Sequence, residues 1–224
     1  MLGNEFSILI EGYGAVYIDI AKVASSSLKA MFAAVLGVDF DLFCGDPHEV
    51  EFPHPPASSG VDERLYPGLY TFSFVRNPWD RLVSCYRDKI KGEVEGFTRF
   101  SESGVAHCLA RFDTFSSNMG FEEFVEAVAS IPDADADEHF RSQYIYLTNV
   151  RGDIAVDFVG RYENLEVDFR HVADRIGLPP NIMLPHLQAN PRSINYTDYY
   201  TAATREVVAA RFAQDILRFS YRFD

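Results

Sequence analysis

The sequence predicts an α/β protein of three layers, α/β/α, with helices on both faces of a central parallel sheet. Two passages from strand to helix carry that expectation, since strands alternating with helices build parallel sheets. In the first, Ala15-Val16-Tyr17-Ile18-Asp19-Ile20 is rich in β-branched and aromatic residues, and Leu28, Met31, Phe32 and Val35 then recur at helical spacing. Ser27 is the expected cap of that helix, and Gly37 its stop. In the second, Tyr70-Thr71-Phe72-Ser73-Phe74-Val75 runs into a helix with Asn77 as N-cap and Pro78 at the first helical position. A third and weaker passage has a strand around Ala155 to Val159, then a helix capped by Asn164 and ending at Ile176 before Gly177.

The connection Ala21-Lys22-Val23-Ala24-Ser25-Ser26-Ser27 has a chemical reading. A strand that breaks through small residues into a helix aims several backbone N–H groups and the positive helix end at one point, which suits a phosphate. Lys22 adds a full charge, and Ser25, Ser26 and Ser27 add hydroxyl donors. This is not the ATP-type loop, because the lysine precedes the small residues and the turn has no glycine. An ordinary strand-to-helix connection has the same residue types.

The second passage sharpens the reading. Arg76 stands at the end of its strand, where a parallel sheet presents its ligand-facing edge. Ser84 lies about two helical turns beyond Asn77 on the same face. An arginine and a serine so placed can hold one phosphate, the guanidinium acting as a bidentate clamp.

Together, Lys22-Val23-Ala24-Ser25-Ser26-Ser27 and Arg76-Asn77-Pro78…Ser84 resemble the two cofactor signatures of sulfotransferases, and more narrowly the carbohydrate branch that includes heparan sulfate 2-O- and chondroitin or HNK-1-type enzymes. Asp157-Phe158-Val159-Gly160-Arg161-Tyr162-Glu163-Asn164-Leu165 and the closing Tyr199-Tyr200-Thr201…Phe219-Ser220-Tyr221 extend the resemblance over most of the chain. It implies a P-loop-like loop that binds the 5′-phosphosulfate of 3′-phosphoadenosine 5′-phosphosulfate (PAPS), with Lys22 both catalytic and cofactor-binding and Val23, Ala24, Ser25, Ser26 and Ser27 around it. It also implies that Arg76 and Ser84 bind the 3′-phosphate. Ala21 departs from the family, whose members usually have proline before the lysine.

Bulk properties bound the rest. At 224 residues, 47% hydrophobic and 24% charged, the chain suits one domain over residues 1–224. A net charge of −13 argues against nucleic acid as a partner and against a highly sulfated polyanion as acceptor. A small-molecule or glycan acceptor fits better, such as a neutral sugar, a lipid headgroup or a small alcohol. Cys44, Cys85 and Cys108 have no metal-like spacing and are an odd count, which predicts free thiols, a reducing compartment and no metal. Glu5, Glu11 and Asp19 interrupt the N-terminal apolar run, so no signal peptide or membrane anchor is expected. Golgi members of the resembled family carry such an anchor; this chain reads as a cytoplasmic, bacterial-type version.

Residues Phe6 to Ile10 suit an edge strand before the turn at Gly12-Tyr13-Gly14. The segment from Cys44 to Gly60 is too proline-rich for a helix and holds His48 and His54. Sulfuryl transfer to a hydroxyl wants a base near neutral pKa, and histidine is the natural choice. The resemblance puts the catalytic histidine between the two cofactor motifs, and His54 is the nearer by position, with His139 its main competitor. His139 and Gln143 resemble a His-x-x-x-Gln element of the chondroitin/HNK-1 branch, and their i, i+4 spacing also suits a plain helix-surface hydrogen bond.

Arg87, Lys89, Lys91, Arg99 and Arg111 either form a basic rim or belong to a solvated surface of mixed charge. Phe121 to Ile131 reads as an amphipathic helix with Phe121, Phe124, Val125 and Val128 inward. The acidic run Asp133 to Glu138 lacks a calcium-loop pattern and reads as a solvated turn. Arg161 or Tyr162 is a candidate to pack near the nucleotide, with core packing the alternative favoured for Tyr162, and Arg192 is a candidate to reach the 3′-phosphate. A last helix from Ala202 to Phe219 is expected to bury Val207, Val208, Phe212, Ile216 and Leu217.

The expected reaction is transfer of a sulfuryl group from PAPS to an acceptor hydroxyl, with Lys22 and His54 catalytic. Two rivals remain open: a nucleotide-dependent kinase of the P-loop type, and a non-catalytic protein that binds PAPS or a glycan.

Overall fold

The computed structural model describes residues 4–38, 46–56, 64–93, 98–185 and 195–224. Its strands are β1 (Ser7–Ile10), β2 (Ala15–Ile18), β3 (Tyr70–Val75) and β4 (Phe158–Arg161). Its helices are α1 (Ser25–Val35), α2 (Pro78–Lys89), α3 (Phe121–Ser130), α4 (Tyr144–Leu147), α5 (Leu165–Ile176), α6 (Ala202–Arg211) and α7 (Ala213–Phe219). The chain divides into two compact units, residues 1–75 with 143–187 and residues 76–142 with 188–224. Among the described residues no helix is long and apolar enough to cross a membrane.

The first unit holds the sheet, ordered β1-β2-β3-β4. β2, β3 and β4 are parallel, with Ile18 beside Ser73 and Val75 beside Arg161. The class is mixed α/β, a central and mostly parallel sheet flanked by helices. It departs from a wholly parallel sheet at β1, which pairs antiparallel with β2. Residues 11–14 are too few for a crossover, and Gly12 and Gly14, at φ 81° and 59°, close a hairpin instead.

All four residues of β2 are buried, as in a strand covered on both faces. The Tyr17 ring lies 5.2 Å from Phe32 of α1 and 5.6 Å from Phe72 of β3, so α1 covers one face through aromatic packing. α5 packs on β3 and β4 and buries Phe169, Val172 and Ala173. Its cap position is Asn164, though that side chain makes no capping bond, and Gly177 ends it at φ 79°. The expected strand at 155–159 is displaced to Phe158–Arg161. Ala155 instead donates its N–H to Leu147 and accepts from Leu65, which holds it outside the sheet.

The second unit is helical. α2, α3 and α6 pack around a cluster that includes Trp79, Leu82, Tyr86, Phe124 and Phe212. The inward face of α3 is the predicted one, with Phe121, Phe124, Val125 and Val128 buried. The single helix expected over 202–219 is two, because Phe212 leaves helical geometry at φ −110°, ψ 27°. That break turns the following face: Leu217, expected inside, is 74% exposed, while Asp215 is fully buried.

Candidate active site

The loop after β2 is built from left-handed backbone. Lys22 and Ala24 take φ 69° and 57°, conformations that cost a residue with a side chain about 1–2 kcal/mol each. Strain of this kind persists only where the surroundings enforce it. Ala24, not Ser27, is the N-cap of α1, so the three serines form the first helical turn. The rule favouring polar caps is overridden by the turn itself, which brings the chain into helical geometry three residues early. Val23 is fully buried and pins the loop to the core, while Lys22 is half-buried.

Beneath the loop lies a network not foreseen from the sequence. Asp19, buried at the end of β2, accepts from Ser25 Oγ at 2.9 Å, pairs with Lys29 Nζ at 2.8 Å and accepts from the Tyr17 hydroxyl at 3.1 Å. Burial alone would raise the Asp19 pKa, but the Lys29 ammonium and the hydrogen bonds from Lys29 and Ser25 hold it below the usual carboxylate range. The legible signal was a lone carboxylate closing an apolar strand.

The two histidines of the intervening segment are held in opposite tautomers. His48 has Nδ1 3.4 Å from Lys29 Nζ and Nε2 2.9 Å from Ser26 Oγ. An ammonium only donates, so Nδ1 accepts and Nε2–H donates to Ser26. His54 has Nδ1 2.8 Å from the carbonyl oxygen of Ser7. A carbonyl only accepts, so Nδ1 carries the proton and Nε2 the lone pair. His54 is exposed, and its Nε2 meets no hydrogen-bond partner among the described residues. The Ser7 hydroxyl in turn accepts from Tyr66, which steadies the strand behind it.

In the second unit, Arg76 Nε donates to Asp80 at 2.7 Å, one turn into α2. Ser84 is half-buried on the same helix, one turn beyond Asp80. Asn77 caps α2 through its Oδ1 and the Trp79 N–H, as expected. Its Nδ2 also donates to the Arg222 carbonyl at 2.8 Å, and the Tyr200 hydroxyl donates to the Trp79 carbonyl at 2.9 Å. The start of α2 is thus tied to the C-terminal segment, whose tyrosines the sequence reading left without a role.

The acidic run is not a solvated turn. Asp133 accepts from Arg211 at 2.7 Å and from the Ser142 N–H at 3.0 Å. Asp137 is buried, with Oδ1 2.6 Å from His139 Nδ1 and Oδ2 3.7 Å from Arg111. Burial would lift the Asp137 pKa, but the hydrogen bond and charge of His139 hold it down. Cys108 lies in the same cluster, and burial, reinforced by Asp137, pushes its thiol up to about 11. Residues 139–143 precede α4 and are not helical, so the expected helical spacing of His139 and Gln143 does not arise.

The cations after the second motif sit among acids rather than as a bare basic rim: Arg87 pairs with Glu93 and Lys89 with Asp88. Arg161 and Tyr162 end β4 and open a short 3-10 turn in the first unit, the Arg161 N–H donating to Asp168. Arg192 and Cys44 lie outside the described residues.

A model of the sulfotransferase family matches residues 8–222 of this chain. The chain is 27% identical over 212 residues to carbohydrate sulfotransferase 14 of Danio rerio, covering 90% of this chain and 56% of that protein. It is 26% identical over 228 residues to carbohydrate sulfotransferase 14 of Homo sapiens, covering 95% and 58%. Against carbohydrate sulfotransferase 11 of Mus musculus the identity is 24% over 245 residues, covering 96% and 66%. The chain therefore spans somewhat over half the length of the first two relatives. No solved structure matches.

Proposed function

Because the chain belongs to the sulfotransferase family, we propose that it moves a sulfuryl group from PAPS to a hydroxyl of a carbohydrate acceptor. The observation that supports this best is the loop between β2 and α1, where two left-handed residues turn the chain into a helix opening on three serines. Consecutive N–H groups at such a turn and the positive helix end make an anion cradle without metal or glycine. The parallel pairing of β2 with β3 adds to it, since the carboxyl ends of both strands leave the sheet at one edge, and Arg76 follows Val75 directly.

In this reading Lys22, Val23, Ala24, Ser25, Ser26 and Ser27 hold the 5′-phosphosulfate, and Lys22 neutralises charge that grows on the leaving phosphate oxygen. Arg76 and Ser84 grip the 3′-phosphate, with Asp80 orienting the guanidinium through Nε. His54 Nε2 takes the acceptor proton as the acceptor oxygen bonds to sulfur and the sulfur–oxygen bond to the phosphate breaks, releasing adenosine 3′,5′-bisphosphate. Its tautomer favours it over His48, whose ring lone pair is turned onto Lys29. A neutral glycan suits the net charge of −13. A cytoplasmic site fits Cys85 and Cys108, which form no disulfide among the described residues.

The test joins binding to turnover. Adenosine 3′,5′-bisphosphate is expected to raise the melting temperature where ATP with Mg²⁺ does not, and radiolabelled PAPS is expected to label a member of a panel of neutral oligosaccharides. Stabilisation by ATP with Mg²⁺ alone would favour a kinase. Binding of the bisphosphate with no labelled acceptor, and no effect of His54→Ala, would leave a non-catalytic binding protein.

A further inference from the structure

We propose that Cys108, Asp137 and His139 form a binding site for a thiophilic divalent cation, with Zn²⁺ the ion it fits. The three side chains bring one sulfur, one imidazole nitrogen and one carboxylate oxygen within 4.8 Å of one another. That donor set is the one a borderline-soft, tetrahedral ion takes, and a thiolate with a carboxylate balances its charge. Bonds of about 2.0–2.3 Å in a tetrahedron put donor atoms about 3.3–3.8 Å apart. The cluster is therefore within small side-chain movements of a first coordination sphere. Asp137 Oδ1 and His139 Nδ1, now 2.6 Å apart, share a proton; a metal ion takes that proton's place and widens the pair. Three protein donors leave a fourth position for water or an outside ligand.

The turn that carries Asp137 and His139 is fixed without help from an ion. Arg81, almost fully buried, donates from Nη1 to the Arg141 carbonyl and from Nη2 to the Glu138 carbonyl, each at 2.8 Å. Arg141 Nη2 donates to the Ala136 carbonyl at 2.6 Å, and Asp133 binds the Ser142 N–H and Arg211. Cys108 is fixed as firmly. It sits in the 3-10 turn His107–Leu109 beside fully buried Leu109, and the His107 N–H donates to the Arg99 carbonyl at 2.9 Å. Ligands held on braced backbone need little reorganisation to bind. Glu138, 4.0 Å from His139 Nε2, adds negative charge. Arg111 near Asp137 opposes a cation, but it is more than half exposed and its long side chain can swing into water. Sequence spacing gave no hint of this site, because the sulfur donor is far along the chain from the other two.

The proposal does not rest on the sulfotransferase reading and is tested apart from activity. Co²⁺ is titrated into the reduced 224-residue chain free of chelators. The expected result is a thiolate-to-cobalt charge-transfer band with strong four-coordinate visible absorption, saturating at one equivalent and bleached by Zn²⁺. Cys108→Ser should abolish the charge-transfer band, and His139→Ala should weaken binding at least about tenfold. Should circular dichroism show that a ligand variant has not folded, Arg111→Ala decides, since loss of that exposed cation should tighten Co²⁺ binding about fivefold. No band at one equivalent, a band that survives Cys108→Ser, or unchanged affinity in Arg111→Ala overturns the proposal and leaves a hydrogen-bonded cluster only.

Discussion

Lys29 Nζ meets Asp19 Oδ2 at 2.8 Å, and Ser25 Oγ donates to that same oxygen at 2.9 Å. The pair joins the end of β2 to the first turns of α1, so the loop carrying Lys22 is closed by a largely buried ion pair at its base. Lys29→Met leaves the Asp19 carboxylate buried without its cation and should cost about 3 kcal/mol in urea unfolding. Asp19→Asn combined with Lys29→Met should cost clearly less than the two single losses added, because the coupling between them is removed only once. Additive losses would mean that the pair contributes nothing of its own.

The same carboxylate sets a pH limit. The folded pKa of Asp19 is depressed, so its contribution to stability is present above the unfolded carboxylate range and is lost as pH falls through the folded value. The relevant window lies below about pH 4. Urea midpoints measured from pH 5 downward should fall steeply in the natural protein and more gently in Asp19→Asn. Parallel curves would assign acid unfolding to other groups, Asp133 and Asp137 first, whose pKa values are also lowered.

His54 offers a lone pair because Ser7 fixes its other nitrogen. His54→Ala should lower kcat by about 10²–10⁴ while the affinity for adenosine 3′,5′-bisphosphate stays within a factor of about two. A comparable loss in His139→Ala, with His54→Ala near normal, would move the base to the second unit.

Arg76 is assigned to the 3′ end of the nucleotide, and ligands lacking that group isolate its role. Arg76→Ala should weaken adenosine 3′,5′-bisphosphate by about 10- to 100-fold in calorimetry, the loss of one or two charge-assisted hydrogen bonds. Adenosine 5′-phosphosulfate should be nearly unaffected. Equal losses for both would mean that Arg76 acts through the fold, by way of Asp80 and the start of α2.

What the sequence made legible is mainly local. Asn77 and Pro78 announce the start of α2 because capping and a fixed φ depend on neighbouring residues only. The buried face of α3 follows from spacing, and the hairpin of β1 follows from two glycines that accept positive φ. What was hidden depends on residues distant in sequence. The break at Phe212, which is buried in the cluster of the second unit, is marked by no glycine or proline in the sequence. Asp133 and Asp137 read as solvated until the fold brings Arg211 to the first and Arg111 to the second. In the candidate site, the loop and Arg76 were visible as motifs, whereas the Asp19–Lys29 base and the tautomers of His48 and His54 required coordinates.

Gly160 separates steric from conformational demands on a glycine. Its φ is not in the left-handed region, so another residue could adopt the backbone, but a Cβ there would lie 2.5 Å from Phe74 Cδ1 and 3.1 Å from Asp168 Cβ. The contact atoms belong to a fully buried ring in β3 and to α5, so neither can yield cheaply. Gly160→Ala should destabilise the protein by about 1–3 kcal/mol through overpacking. Phe74→Leu removes the clashing ring edge and by itself opens a void. In the double variant the two errors should partly cancel, giving a protein more stable than the sum of the single losses allows. Strict additivity in urea unfolding would show that β4 simply shifts to admit the methyl group, and that the close approach of β4 to β3 is not what requires glycine here.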